Sequence, residues 1–168
     1  MSNVKLHSKF DQRSGLRWLW LAIIIFMIDY LSKVFIIGTM TVNGSTPITV
    51  LPFMSLYYVH NTGAAFSFLS TEGGWQRWLL ALIAVVACGF LSYKMRQASI
   101  TQTAHNIGCA FIIGGALGNL FDRIQYGFVI DFLDFHYKNH HFAIFNLADV
   151  AIFCGVILYL LSSLKKTS

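Results

Sequence analysis

Four long apolar runs constrain this chain more than any other feature. They cover about residues 16–37, 75–93, 104–121 and 147–164. Each is near the roughly 20 residues that a helix needs to cross the hydrocarbon core of a bilayer. The third is Gly-rich and the least hydrophobic. Composition agrees: 56% of the 168 residues are hydrophobic, 11% are charged, and mean hydropathy is +0.62. A soluble domain of this length is excluded. The expectation is an α-helical integral membrane protein with four transmembrane helices, forming a single membrane domain over residues 1–168.

Basic residues set the expected orientation. Lys5, Lys9, Arg13 and Arg17 precede the first run, Lys94 and Arg96 follow the second, and Lys165 and Lys166 follow the fourth. Four spans put these clusters on one side, which is the cytoplasmic side by the positive-inside rule. Both termini then lie in the cytoplasm, and the loops at about 38–74 and 122–146 face outward. The first run is read as a retained span. Asp29 and Lys33 interrupt its apolar core, and no small-x-small cleavage site follows it. In the first outer loop, "TMTVNGSTPITVLPFMSLYYV" has Asn43-Gly44 between β-branched runs. That predicts a hairpin, part of a small extracytoplasmic β-element on the membrane surface, with Pro47 and Pro52 at edge positions.

The chain has seven acids: Asp11, Asp29, Glu72, Asp122, Asp131, Asp134 and Asp149. In this topology Asp29, Asp122, Asp131 and Asp149 converge on the outer membrane–water boundary. Ionisable groups at such a depth are functional candidates. Structural readings stand beside that one. Asn146 and Asp149 have capping-box spacing. Asp29 and Lys33 are an i,i+4 pair in the favourable order. Asp122 and Arg123 suit a solvated helix end, and Gly114 and Gly118 suit close helix packing. None of these accounts for Asp131, which lies in "GFVIDFLDF" with no basic neighbour.

Two carboxyl groups in a partly dry site have a chemical use. Repulsion keeps one protonated while the other ionises. The ionised one takes a proton from water, and the protonated one donates to a carbonyl oxygen or leaving amine. Other chemistries find less support. His136 and His140 are four apart but lack the glutamate of a His-Glu-x-x-His site. Ser67, with His60 or His136, has no Gly-x-Ser-x-Gly elbow. Cys88, Cys109 and Cys154 fall in apolar runs without metal spacing and read as packing residues. No metal or cofactor is expected. The basic clusters read as topology signals and anionic-lipid contacts, not as nucleic-acid sites.

Five segments, "DYLSK", "NTGAAFSF", "GGALGNLFDR", "VIDF" and "FNLAD", occur in an order that resembles lipoprotein signal peptidase (signal peptidase II), the bacterial membrane aspartic protease family. The chain departs from residues common in that family at Tyr30 and Val150, neither of them catalytic there. The resemblance implies a catalytic dyad of Asp131 and Asp149. It implies that Asn61, Asn119, Arg123 and Asn146 line a substrate site, with Gly63 and Ala148 in the same motifs. Asp29, Lys33 and Asp122 would support the polar network, and Asp134 would be a bystander. It further implies a diacylglyceryl-modified prolipoprotein as substrate, cleaved on the N-terminal side of the lipidated cysteine, in a monomer of the bacterial inner membrane that contacts lipids. The alternative is a small transporter or channel subunit using Asp29 and Lys33. A scaffold packed through the third span would leave Asp131 and Asp149 unexplained.

The basic clusters make one test direct. A reporter fused after Ser168 should be active on the cytoplasmic side only, as measured with a paired cytoplasmic and periplasmic reporter.

Overall fold

The computed structural model describes residues 14–44, 46–63, 74–137 and 140–164. Lys5, Lys9, Asp11, Arg13, Ser67, Glu72, Lys165, Lys166 and residues 64–68 of "NTGAAFSF" lie outside the described residues. After a 3-10 turn at Gly15–Trp18 the elements are α1 (Leu19–Thr39), β1 (Ile48–Leu51), β2 (Met54–Asn61), α2 (Gln76–Gln97), α3 (Thr103–Gln125), β3 (Val129–Tyr137), β4 (His140–Phe145) and α4 (Leu147–Leu164).

All four helices are long and apolar enough to cross a membrane, with mean hydropathies of 2.1, 1.9, 1.3 and 2.1 in chain order. Their outward faces carry Phe35, Val86 and Phe153, each more than half exposed, as lipid-facing side chains do. The low value for α3 has a packing cause. It is the central helix, packed against α1, α2 and α4, and most of it is buried in protein rather than lipid. It also runs past residue 121 to Gln125, so Asp122 and Arg123 belong to its last turn. Asp122 is not a solvated end: it is 2% exposed. Its charge marks the inward face of α3, which an apolar count reads as the end of a span.

At one end of the bundle, Gly15 N–H donates to Ala98 O, and Ala22, Leu91, Met95, Cys109, Ala110 and Ile113 form an apolar cluster. At the other end sits a four-stranded antiparallel sheet in the order β1-β2-β3-β4. Ile36 and Met40 at the end of α1 pack on its Tyr58, Ile130 and Phe132. The β-element was expected in the first outer loop alone. It also takes in most of the second, because "VIDFLDFHY" is apolar on both faces and hides the period-2 alternation of a strand. The hairpin turn is displaced as well. Asn43 does turn, with φ 51°, and its N–H bonds Tyr58 O, but the strand reversal falls at Pro52-Phe53. Pro52 fixes φ and needs no N–H partner there. The three cysteines are free, Cys109 buried and the others half-buried.

Glycines let α3 approach its neighbours. A methyl on Gly108 would lie 2.8 Å from Tyr159 N, one on Gly114 would lie 2.7 Å from Ala22 O, and one on Gly115 would strike Ala148 O. Backbone cannot yield as a flexible side chain can. Gly89 on α2 has nothing within 4 Å of such a methyl. Gly115→Ala should therefore destabilise the detergent-solubilised protein by about 1–3 kcal/mol of overpacking. Gly89→Ala should be neutral or stabilising by up to ~1 kcal/mol. Thermal unfolding of the two variants checks this.

Candidate active site

Asp131 lies on β3 opposite Val59, and Asn61 lies on the same sheet face, opposite Val129. Asn61 Nδ2 donates to Asp131 Oδ2 at 2.8 Å. Asp149 is in the first turn of α4, where the helix dipole favours a carboxylate. Asn146 caps that helix. Its Oδ1 accepts from Asp149 N at 2.9 Å, and its own N–H points to Asp149 Oδ2 at 3.4 Å. This is the capping box that the spacing suggested. The same Asn146 has a second role: its Nδ2 donates to Asp131 Oδ1 at 2.7 Å. One asparagine thus bridges the two carboxyl groups.

Asn119 on α3 completes the bridge. Its Nδ2 donates to Asp149 Oδ1 at 2.7 Å, and its Oδ1 accepts from Asn146 Nδ2 at 3.1 Å and from Lys33 Nζ at 3.2 Å. Lys33 is itself 2.7 Å from both Asp29 Oδ2 and Asp122 Oδ2. Arg123 donates to Asn119 O at 3.2 Å and to Gly63 O at 3.3 Å, while Gly63 N–H donates to Asn61 Oδ1 at 3.0 Å. Ala148, fully buried, donates its N–H to Asp29 Oδ1 at 2.8 Å. The dyad and the nine supporting residues that the resemblance implied therefore fall in one connected network. It joins α1, α3, α4 and the sheet.

Asp134 does not join it. Three residues along a strand puts it on the opposite face from Asp131. There it is buried, and it accepts from His141 Nδ1 at 2.8 Å. His136, on the same side, contacts Ser55 Oγ at 3.0 Å. These histidines are on strands, not in a loop or helix, so the i,i+4 spacing of His136 and His140 places no pair. The sequence reading missed this second polar cluster. A strand assignment for residues 129–137 would have separated the two aspartates.

The first network opens into a groove of about 570 Å³, within the range of small-molecule and peptide side-chain sites. Asn61, Asn119, Arg123, Asp131 and Asp149 form its polar end, and Ile144, Phe145, Val150, Phe153 and Val156 form its apolar wall. The wall was legible in part, since residues 149, 153 and 156 share one face of a helix. Toward the opposite end of the bundle, Asp29 is the last buried charged group among the described residues. The apolar cluster around Met95 and Ala110 fills the interior there, so the described residues hold no polar route across the membrane.

The two carboxyl groups differ in setting. Asp131 is 2% exposed, whereas Asp149 is half-buried at the groove. Burial pushes the Asp131 carboxyl up to about 7, and the Asp149 charge adds to this; hydrogen bonds from Asn61 and Asn146 and the Lys33 charge oppose it. The arrangement can hold one proton between two carboxyl groups at neutral pH, the condition for paired acid–base chemistry.

Fold and site together define a polytopic membrane protein with an amide-bridged pair of carboxyl groups, one buried and one half-buried, at one end of the bundle. Comparison with known proteins gives the family. Residues 21–165 match the family model for signal peptidase (SPase) II. The chain is 49% identical to the lipoprotein signal peptidase of Vibrio parahaemolyticus over 155 residues, 92% of each protein. It is 48% identical to that of Vibrio cholerae over 165 residues, 98% of this chain and 95% of the relative. A solved bacterial membrane enzyme structure superimposes with a TM-score of 0.78 at 29% identity, covering 90% of both chains, and another gives 0.72 at 27% identity, covering 89% of this chain and 93% of the other. The chain belongs to the signal peptidase II family, and it is a multi-pass membrane peptidase.

The shifted Asp131 carboxyl has a thermodynamic sign. Its folded value lies above the unfolded 3.8, so between those values the folded state binds more protons than the unfolded one. Stability from this group then falls as pH rises through that window. Infrared difference titration of the purified protein should show a carboxyl proton lost near pH 7. Asp149→Asn removes the neighbouring charge and should move that loss to lower pH.

Proposed function

We propose that this peptidase removes the signal peptide from diacylglyceryl-modified prolipoproteins, cutting on the N-terminal side of the lipid-modified cysteine, with Asp131 and Asp149 as its catalytic pair. The observation that carries the reading is the Asn146 bridge, which ties both carboxyl groups to one residue, Asp131 through its side-chain amide and Asp149 through its backbone N–H, at the head of an apolar-walled groove. In the resting pair the proton sits on buried Asp131. Asp149 takes a proton from water as the water oxygen bonds to the scissile carbonyl carbon. Asp131 gives its proton to the carbonyl oxygen. Collapse of the tetrahedral intermediate breaks the C–N bond: the proton held on Asp149 passes to the leaving amine, and one hydroxyl proton returns to Asp131 as the carbonyl reforms. Asn61, Asn119, Asn146 and Arg123 hold the pair and the peptide backbone by hydrogen bonds. Asp134, engaged with His141 on the far face, takes no part.

The groove's wall supports entry from the side. Val150, Phe153 and Val156 belong to α4, and all three are exposed at the surface of the bundle. A diacylglyceryl chain entering from water would leave hydrocarbon at a cost of roughly 0.8 kcal/mol per CH₂. Along α4 it stays in lipid. The termini are assigned to the cytoplasm and the sheet end to the outer face on the placement of the basic clusters.

One experiment tests both parts. Purified enzyme is given the same prolipoprotein in diacylglyceryl-modified and free-cysteine forms, in one detergent. Only the modified form should be cleaved efficiently. Asp131→Asn and Asp149→Asn should each lower turnover on the order of 10²–10⁴-fold, while Asp134→Asn stays near wild type. Equal cleavage of the two substrates removes lipid selection from the reading. Loss of activity in Asp134→Asn with Asp131→Asn spared removes the dyad assignment.

A further inference from the structure

Three of the buried charged groups take no proton in the reaction just described. Lys33 is 2% exposed, Asp29 0% and Asp122 2%. The backbone partners of this group explain its place. Asp122 Oδ2 accepts from Ile130 N–H at 3.1 Å, and Asp29 Oδ1 accepts from Ala148 N–H at 2.8 Å. Ile130 immediately precedes Asp131, and Ala148 immediately precedes Asp149. Each carboxylate therefore grips the backbone one residue before one member of the pair. A single ammonium lies 2.7 Å from both carboxylates and 3.2 Å from the Asn119 oxygen.

We propose that Lys33 is the positioning residue of the acid pair: it holds β3 and α4 in register through one carboxylate each, and its charge sets the pH range over which the pair shares a proton. This rests on the reading of Asp131 and Asp149 as the catalytic pair.

The geometry selects Lys33 rather than Arg123 for this role. Arg123 donates to two backbone carbonyls, of Asn119 and Gly63, and among the described residues holds no carboxylate by hydrogen bond. Lys33 is the cation that reaches both clamping carboxylates. The packing leaves it no slack, because a methyl on Gly118 would collide with Asp29 Oδ2. The charged and titratable groups around Lys33 are Asp29 on its own helix, Asp122 and Arg123 on α3, Asp131 on β3 and Asp149 on α4. Tyr58 on β2 and Tyr126 after α3 complete the set, near Asp122. The Lys33 charge favours ionised Asp131. Loss of that charge makes the pair hold its proton to higher pH. Neutralising Asp122 leaves Lys33 less compensated and has the opposite sign.

The test is the pH profile of kcat/KM on the diacylglyceryl-modified substrate for Lys33→Met, Lys33→Arg and Asp122→Asn, each checked for folding by thermal unfolding. Lys33→Met should lower kcat about 10²-fold, the cost of a misplacement near 1 Å. Its alkaline limb should move to higher pH. Asp122→Asn should lower kcat and move that limb to lower pH. Lys33→Arg should recover the position of the limb but not the full kcat, since a planar guanidinium does not fit the seat of a point charge. A merely structural part for Lys33 lowers activity without opposite displacements. If Lys33→Met does not fold, the Asp122→Asn limb decides alone. A limb left at its wild-type position in folded Lys33→Met or Asp122→Asn overturns the proposal. Asp131→Asn and Asp149→Asn are run alongside. If either keeps wild-type turnover, the dyad reading falls and takes this proposal with it; if both are inactive while the limbs stay in place, the positioning role alone is overturned.

Discussion

A carboxylate inside a membrane protein survives only if something pays its desolvation, and here two do so through one lysine. Asp29, Lys33 and Asp122 are almost wholly excluded from solvent. The effective penalty for burying an ion is several kcal/mol, and removing one partner from such a group costs roughly 3–5 kcal/mol. Evolution could have replaced the group with apolar residues at little loss of stability. What apolar residues could not do is reach the amides of Ile130 and Ala148. The ion group is therefore better understood as a device for placing backbone than as a source of stability.

Its position dictates much of the surrounding architecture. Asp29 and Lys33 are one turn apart on α1, and Asp122 comes from α3, so these two helices must lie close. Gly114 and Gly118 on α3 remove the side chains that would hold α1 away. Gly115 does the same toward α4 at Ala148, and Gly108 toward Gly155 and Tyr159. The Gly-rich character of α3 and the charge network are thus one feature. A helix with this many small residues is less hydrophobic than its neighbours, which is tolerable only because protein, not lipid, surrounds it.

The helical frame was legible because span length and hydropathy are properties of composition. Asp149 with Asn146 and Asp29 with Lys33 were legible because helix neighbours sit at fixed sequence spacing. The long-range partners were not. Nothing local in the sequence says that Lys33 also meets Asp122, or that Asn146 reaches Asp131 as well as its own helix. The sheet was the weakest part of the reading. Strand β3 has an aspartate on each face, Asp131 toward the groove and Asp134 toward His141, and its apolar residues lie on both faces too. Alternation fails as a signal when both faces are buried. The Asn43-Gly44 pair misled for a related reason: it makes a turn after a helix, not between two strands.

The chemistry of the site lies in where charge is withheld. The groups that touch the two carboxyls directly are asparagine amides: Asn61 and Asn146 on Asp131, Asn119 and the Asn146 backbone on Asp149. A neutral amide donates to a carboxylate and to the carbonyl oxygen of a protonated acid, so it holds both protonation states in one geometry. A lysine or arginine in the same place would lock the carboxyl as an ion and end proton sharing. Here Lys33 reaches the pair through Asn119 and through the backbone that Asp122 and Asp29 hold. Burial raises Asp131, and that distant cation restrains the rise. A pair that exchanges one proton near neutral pH needs this balance, with full charge kept one amide away.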